Sequence, residues 1–323
     1  MEAVTLADTR VAICVCTHSR SEALSRLLVQ LQDIDLRGYN PEWIELVVVD
    51  NNPNSETRHV CSMAAPRLPI SLHYTEEPRA GISYARNHAV KVALERGADF
   101  VAFIDDDDIP QQDWLIRLLD RQVVTRADLV FGTWMLDAEM PEWLRSSGIF
   151  RSPDRSKPKV KAKGGRYGLP QSASTCNILA GREILERVGA KGPIFSHAFC
   201  YSGGEDKDFF IRAREMGAKL SSANNSVVHR IHEPERYTVS GLLKRGFKNG
   251  CSQTNMARYH GDRWRLPQLV ATAFGKLVLS MIIMPFTIFS RRMFHHYLYR
   301  IAKCTGVIYT AVTGKSVKYY ADS

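Results

Sequence analysis

The sequence predicts an α/β protein: a mostly parallel central sheet flanked by helices, followed by a basic, apolar, helical C-terminal tail. Three observations support this. Short β-branched apolar runs alternate with segments of helical period, the pattern of a parallel sheet covered on both faces. Each apolar run ends abruptly in polar or acidic residues. From Lys244 onward the composition shifts to 13 Lys+Arg against 2 Asp+Glu, whereas the whole 323-residue chain carries only +9.

The elements follow in order. Val11–Thr17 (VAICVCT) is a short buried strand by its run of apolar residues. Ser21–Leu31 places Leu24, Leu27, Leu28 and Leu31 at helical spacing. Ile44–Asp50 is a second buried strand, Val60–Ala65 a short helix and Ile70–Tyr74 a third strand. Ser83–Arg96 reads as a helix stopped by Gly97, and Phe100–Ile104 (FVAFI) as a fourth strand. The Pro/Gly-rich basic stretch from Arg151 to Pro170 has no periodicity and reads as a mobile loop. Asn177–Val188 restores a strand and a helix. Asp206–Met216 is a helix ended by Gly217, a polar segment follows, and the basic tail begins at Leu242.

At 45% hydrophobic and 24% charged, the chain is neither disordered nor a multi-span membrane protein. Seven cysteines lack any CxxC pair, and residues 1–10 lack a basic-then-apolar leader, so reduced thiols in a cytosolic compartment are expected. The positive charge of the tail suits an anionic membrane surface or nucleic acid. Leu277–Phe289 is thirteen residues without a charge, between Lys276 and Arg291-Arg292. A span needs about 20 apolar residues. The run therefore suits a segment lying in the membrane interface, with a buried core helix as the other reading.

Ligands of parallel sheets sit at the carboxyl ends of strands. There the sequence places Thr17-His18-Ser19-Arg20, Asp50-Asn51-Asn52 and Asp105-Asp106-Asp107-Asp108. A bare acidic run is ordinarily a solvated turn. Directly after a buried strand it suits a hard divalent ion, Mg²⁺ or Mn²⁺, bridging to phosphates. An EF-hand is excluded, because no Gly stands sixth in such a loop and no Glu twelfth. Gly203-Gly204-Glu205-Asp206 opens a helix, either as a favourable acidic first turn or as a general base presented there. His229 and His232, beside Glu233, are candidates for a metal or phosphate contact. Trp134 and Trp143 could stack on a sugar ring or fill a core.

Taken together, CVCTHSR, VVVDNN, AGISYARN, FIDDDDIPQQDWL and GGEDKDFF resemble glycosyltransferase family 2, the inverting GT-A type, over about residues 11–247. TCN (Thr175–Asn177), PEWLRS and HEP make the chain similar to bacterial succinoglycan-type glucosyltransferases. The resemblance implies a GT-A nucleotide-diphospho-sugar transferase fold. It implies a catalytic domain at 1–243, with a nucleotide half at about 10–110 and an acceptor half at 111–243, and a membrane-associating region at 244–323. By the same resemblance Thr17, Arg20, Asp50, Arg86, Asn87 and Asp105 would bind a UDP-sugar donor. Asp107, Asp105 and His232 would hold Mn²⁺ or Mg²⁺, and Asp206, with Glu205 beside it, would be the catalytic base. Trp143 and Asn177 fall on the acceptor side.

The processive Gln-x-x-Arg-Trp motif is missing, and LLKRGFKNG (Leu242–Gly250) stands in its region. That suggests one sugar added per encounter, to a lipid-linked or polysaccharide acceptor at the inner membrane face, with no nucleic acid partner. Two other readings compete. A sugar-nucleotide nucleotidyltransferase would want a Gly-rich signature with Lys near the first strand, which is absent. A non-catalytic basic binder leaves the acidic strand ends without a role.

Overall fold

The computed structural model describes residues 9–136, 140–146, 149, 169, 173–200, 202–231, 234–261 and 263–315. The stretch read as a mobile loop, except Leu169, and the candidates His232 and Glu233 lie outside these residues.

Four parallel strands form one side of the sheet: β1 (Val11–Thr17), β2 (Ile44–Asp50), β3 (Ser71–Glu76) and β4 (Phe100–Ile104). The other side is mixed, from β5 (Asp108–Pro110), β6 (Leu129–Leu136), β7 (Asn177–Gly181) and β8 (Leu220–Arg230). The strand order is β3-β2-β1-β4-β7-β6-β8-β5. β7 runs antiparallel to both β4 and β6, and β5 antiparallel to β8, so the parallel expectation holds for the first four strands and the remainder is mixed.

Strand alternation divides the apolar side chains between two layers. Ala12, Cys14, Val47 and Val49 face α3 (Ile82–Glu95) and α7 (Glu205–Glu215), while Val11, Ile13, Val15 and Val48 face α1 (Ser21–Gln30), α2 (Ser55–Ala64) and α4 (Trp114–Thr125). Burial on both faces explains why these runs are almost continuously apolar, Glu45 near the start of β2 being half-buried and paired with Arg96. α2 starts five residues before its expected position because the Asn54 side chain caps it, accepting from the Thr57 N–H at 2.8 Å. All seven cysteines are free thiols.

The short α5 (Glu142–Ser146) and α6 (Arg182–Gly189) complete the body, and three long helices close the chain: α8 (Val239–His260), α9 (Arg265–Ile283) and α10 (Arg291–Thr313). α8 runs through residue 243, so the expected domain boundary falls inside a helix. α8 and α10 cross on glycine. A Cβ at Gly250 would lie 2.1 Å from the Lys303 carbonyl oxygen, and one at Gly306 would lie 2.2 Å from that of Phe247. Only backbone fits there. Gly250→Ala is therefore expected to cost about 1–3 kcal/mol by overpacking, read from a urea melt. A cost below about 0.5 kcal/mol, the ordinary range of surface changes, would mean that the crossing yields freely.

Candidate active site

A cavity of about 790 Å³ opens at the carboxyl ends of β1 and β4. Thr17 to Arg20 form one part of its wall, and Asp105, Asp106 and Asp107 another. α3 contributes Arg86, and α8 contributes Gly241, Lys244, Arg245 and Lys248. The turn after β1 is tight. Ser19 sits in the left-handed region at φ 54, and its hydroxyl accepts from Asn52 Nδ2 at 2.7 Å.

The acidic run is held by guanidinium groups. Arg20 Nη1 donates to Asp106 at 3.2 Å and to Asp107 at 3.3 Å, while the Thr17 hydroxyl donates to Asp106 at 2.8 Å. Arg230 Nη2 reaches Asp105 at 3.1 Å, and its Nε reaches Asp108 at 3.1 Å. This follows from the pairing of β5 with β8, which sets Asp108 opposite Arg230. Burial pushes Asp106 up to about 7 against the pull of Arg20, and Asp108 up to about 8 against that of Arg230. Burial raises Asp107 as well, with Asp105 adding to the effect and Arg20 opposing it.

These contacts bear on metal binding. Guanidinium groups already neutralise much of the acidic run, so charge repulsion by itself does not demand an ion. Asp105, Asp108 and Cys176 bring ligand atoms within 4.8 Å of one another. Arg230 occupies both carboxylates, however, and burial holds the Cys176 thiol up at about 12, so this trio is a poor site for a hard cation. Asp107 is different. It lines the cavity, and its cationic neighbours stand at 3.3 and 3.8 Å. A hard divalent ion takes one or two carboxylates together with substrate phosphates, and Asp107 fits that requirement better than Asp105, whose two oxygens are held by Arg86 and Arg230.

The acidic start of α7 divides into two environments. Glu205 is buried and forms an ion pair with Arg86 Nη1, while Arg86 Nη2 reaches Asp105 at 3.3 Å. Burial raises the Glu205 carboxyl, with Arg86 opposing. Its Oε2 has no hydrogen-bond partner among the described residues. Asp206 is half-buried and accepts from the Lys207 N–H at 2.7 Å. Neither Glu205 nor Asp206 lines the cavity wall, but Arg86 does, and it ties their helix to the end of β4. Asp208, one turn further on, is structural, bound by Arg212 and His260.

The remaining expected site residues divide. Thr17, Arg20, Arg86, Asp105 and Asp107 converge on the cavity. Asp50 is fully buried beside it, accepting from the Tyr74 hydroxyl at 3.1 Å and from the Asn52 N–H at 3.1 Å; its neighbour Asn51 is the residue in the wall. Asn87 is turned away. Its amide donates to the Phe195 carbonyl at 2.8 Å and accepts from the Phe195 N–H at 2.9 Å, so it braces a loop and does not line the cavity. Asn177 cannot meet an acceptor. It is 1% exposed, and its amide donates to the carbonyls of Thr133 and Ser226, locking β6, β7 and β8 together. Trp143 stacks on His295 of α10 with ring centroids 4.2 Å apart, which makes it a helix contact away from the cavity. Trp134 lies under the Arg230 guanidinium at 5.6 Å.

The sequence reading missed Arg230, Arg236, Lys244, Arg245 and Lys248 as residues of the cavity wall. Lys244, Arg245 and Lys248 belong to the basic tail, whose charge suits a membrane surface by sequence alone; Arg230 and Arg236 lie before it, where the sequence shows no excess of charge.

The family model for glycosyl transferase family 2 matches residues 12–189. Among curated relatives, the succinoglycan biosynthesis protein ExoM of Rhizobium meliloti (strain 1021) is 29% identical over 317 residues, covering 96% of this chain and 95% of that protein. Among solved structures, the mannosyltransferase PcManGT from Pyrobaculum calidifontis in complex with GDP-Man and Mn²⁺ superposes with a TM-score of 0.58 at 16% identity, covering 93% of this chain and 87% of that one. TarS 1–349 of S. aureus in complex with UDP gives 0.54 at 16% identity, covering 95% and 92%. At such identities the two structures establish a shared fold.

Proposed function

The chain belongs to glycosyl transferase family 2, and on that premise we propose that it is an inverting, metal-dependent, non-processive transferase. Its donor is a UDP-sugar, and its acceptor is lipid-linked or a surface polysaccharide. The observation that carries this reading is Asp107 on the cavity wall, at the end of β4 and next to Thr17 and Arg20. The UDP and the GDP-Man bound by two proteins of the same fold support a nucleotide-sugar donor.

The chemistry needs few groups. The acceptor hydroxyl oxygen attacks the anomeric carbon as the bond from that carbon to the diphosphate oxygen breaks. Asp206 takes the hydroxyl proton, and a single displacement inverts the centre. Glu205 is held by Arg86 and positions the start of the helix. Thr17 and Arg20 orient the nucleotide side. Asp107 would hold a divalent cation, with Asp105 beside it, and that ion would supply Lewis-acid stabilisation of the diphosphate.

The C-terminal helices support attachment to the cytoplasmic face of a membrane. The helical stretch is longer than the charge-free run: Arg265–Thr287 spans 23 residues, with a mean hydropathy of 1.9 in its most apolar 18-residue window, of which only 17% is buried. That disfavours a core helix. Residues 1–260 then form the catalytic unit, α8 included, and α9 with α10 forms the attachment.

The test is nucleotide release from a panel of nucleotide sugars, with Mn²⁺ and with chelator. Metal-dependent release of UDP from one donor is expected, falling at least about tenfold in Asp107→Ala, the loss of one charged contact. Release that is unaffected by chelator and by the substitution would overturn metal dependence.

A further inference from the structure

Most of α8 lies beyond residue 243, and its later turns rest against the start of α7. Ser252, Met256 and His260 recur every four residues, so they form one stripe along the helix. Each meets a part of the segment that runs from Gly203 to Asp208. The Ser252 hydroxyl donates to the Gly203 carbonyl at 3.2 Å. A Cβ at Gly204 would lie 3.0 Å from Ser252 Oγ and 3.6 Å from the Met256 sulfur. His260 Nε2 stands 2.8 Å from Asp208 Oδ1, and the other oxygen of that carboxylate accepts from Arg212 Nη2 at 2.7 Å. Tyr259 adds an edge contact to Phe199, just before the turn, with ring centroids 5.2 Å apart.

The turn depends on this support. Gly203 and Gly204 both lie at positive φ, 71 and 106, and glycine brings no side chain of its own to hold such a turn in place. Asp206 therefore takes its position from its neighbours. Glu205 is fixed by Arg86 on one side, and Asp208 by His260 and Arg212 on the other. Asp208 is fully buried, and the His260 side chain is 8% exposed. Removing the ring would leave a buried carboxylate oxygen without its hydrogen bond, a costly state that the first turn of α7 relieves only by moving.

We propose that His260 is a positioning residue for the base: from the last turn of α8 it fixes Asp208, and through Asp208 the place of Asp206 at the start of α7. The inference rests on the reading of Asp206 as the base. His260 is not part of the cavity wall, so it acts through α7 and not on the substrate. A base works only within hydrogen-bond reach of the proton it takes, and a misplacement of about 1 Å costs up to about 10²-fold in rate.

The test compares His260→Asn with His260→Gln in the full-length protein, with thermal melts to confirm folding. The glutamine amide nitrogen reaches the position of Nε2, whereas that of asparagine stops short of it. Turnover is read as UDP release from whichever of UDP-glucose, UDP-galactose and UDP-GlcNAc the wild type uses fastest. His260→Asn is expected to lower kcat about tenfold to hundredfold, with donor KM and UDP affinity within about twofold of wild type, and His260→Gln to restore most of kcat. In an Asp206→Asn background the loss from His260→Asn should shrink to less than about twofold, because the group it positions is gone. A loss that multiplies in full with that of Asp206→Asn would overturn the inference, as would a change in KM alone. Full turnover of His260→Asn beside an inactive Asp206→Asn would reject the positioning and keep the base. Hydrogen–deuterium exchange gives a readout that needs no substrate: the amides of residues 203–208 should exchange about tenfold faster or more in His260→Asn, the loss of a hydrogen bond to a charged group. Wild-type exchange there would also overturn the inference. Faster exchange in a protein that releases UDP from no donor would keep the brace and reject the transferase reading. Should His260→Asn not fold, Ser252→Ala removes only the bond to Gly203 and is expected to lower kcat in the same Asp206-dependent way; unchanged kcat and exchange in that variant would sink the idea.

Discussion

Asp206→Asn is expected to leave UDP affinity within about twofold of wild type and to lower turnover by about 10²–10⁴-fold, the usual contribution of a general base. The structure separates the two acids at the start of α7. Glu205 is buried against Arg86, so its carboxylate is committed to holding the helix against Asp105. Asp206 is half-buried beside it, within the electrostatic reach of Arg86. The amide of asparagine fills the same space and still accepts a hydrogen bond, but it cannot take a proton. Steady-state kinetics beside calorimetry makes the check. Unchanged turnover would remove Asp206 as the base. Glu205→Gln serves as the contrast: it leaves the Arg86 guanidinium buried without its partner carboxylate, so stability and donor affinity should suffer more than the chemical step.

β1, β2 and β4 were legible in the sequence because burial on both faces leaves their interiors apolar, with Glu45 of β2, half-buried and paired with Arg96, as the exception. Their polar ends were legible because the parallel arrangement brings those ends together. β8 was read as a polar segment. Its buried positions include Ser221 and Ser226, and hydrogen bonding removes the cost of burying such groups: the Ser226 hydroxyl donates to the Trp114 carbonyl at 2.8 Å. Without β8, Arg230 had no strand partner, and the guanidinium neutralisation of Asp105 and Asp108 could not be foreseen. Asn87 and Asn177 fell within motifs shared with the family, but a motif does not show which way an amide points. Both amides bind backbone. The cations of α8 were plain as charge. Their direction depends on glycine contacts with α10 some fifty residues away, which local periodicity cannot report.

The second large effect concerns membrane attachment. Phe286 and Phe289 are 81% and 98% exposed, and Phe274, Met281, Ile282 and Ile288 extend the same apolar surface. Lys276, Arg291 and Arg292 flank it. A helix of 23 residues is about 34 Å long, enough to cross a hydrocarbon core. Crossing is nevertheless disfavoured by what α9 touches. Leu269 and Ala273 of α9 share a buried cluster with Ala257 of α8 and with Cys304 and Val307 of α10. α10 in turn carries Arg300 and Lys303, and α8 carries the cavity cations. A spanning α9 would draw those charges toward the bilayer interior, where each is expensive. Lying in the interface costs nothing comparable and places the basic residues on anionic headgroups. Substitution is a cleaner test than truncation, because removing α10 would also uncover the glycine face of α8. Phe286→Asp with Phe289→Asp removes two rings worth about 1.5–3 kcal/mol each. The fraction bound to anionic vesicles should therefore fall by about 10²–10⁴-fold in partition coefficient, with the fold and UDP binding intact. Raising the salt concentration should weaken the wild type further, by screening the flanking cations. Flotation of the double variant at wild-type levels would show that this face is not the membrane contact. Persistent attachment that resists alkaline extraction would return α9 to a span.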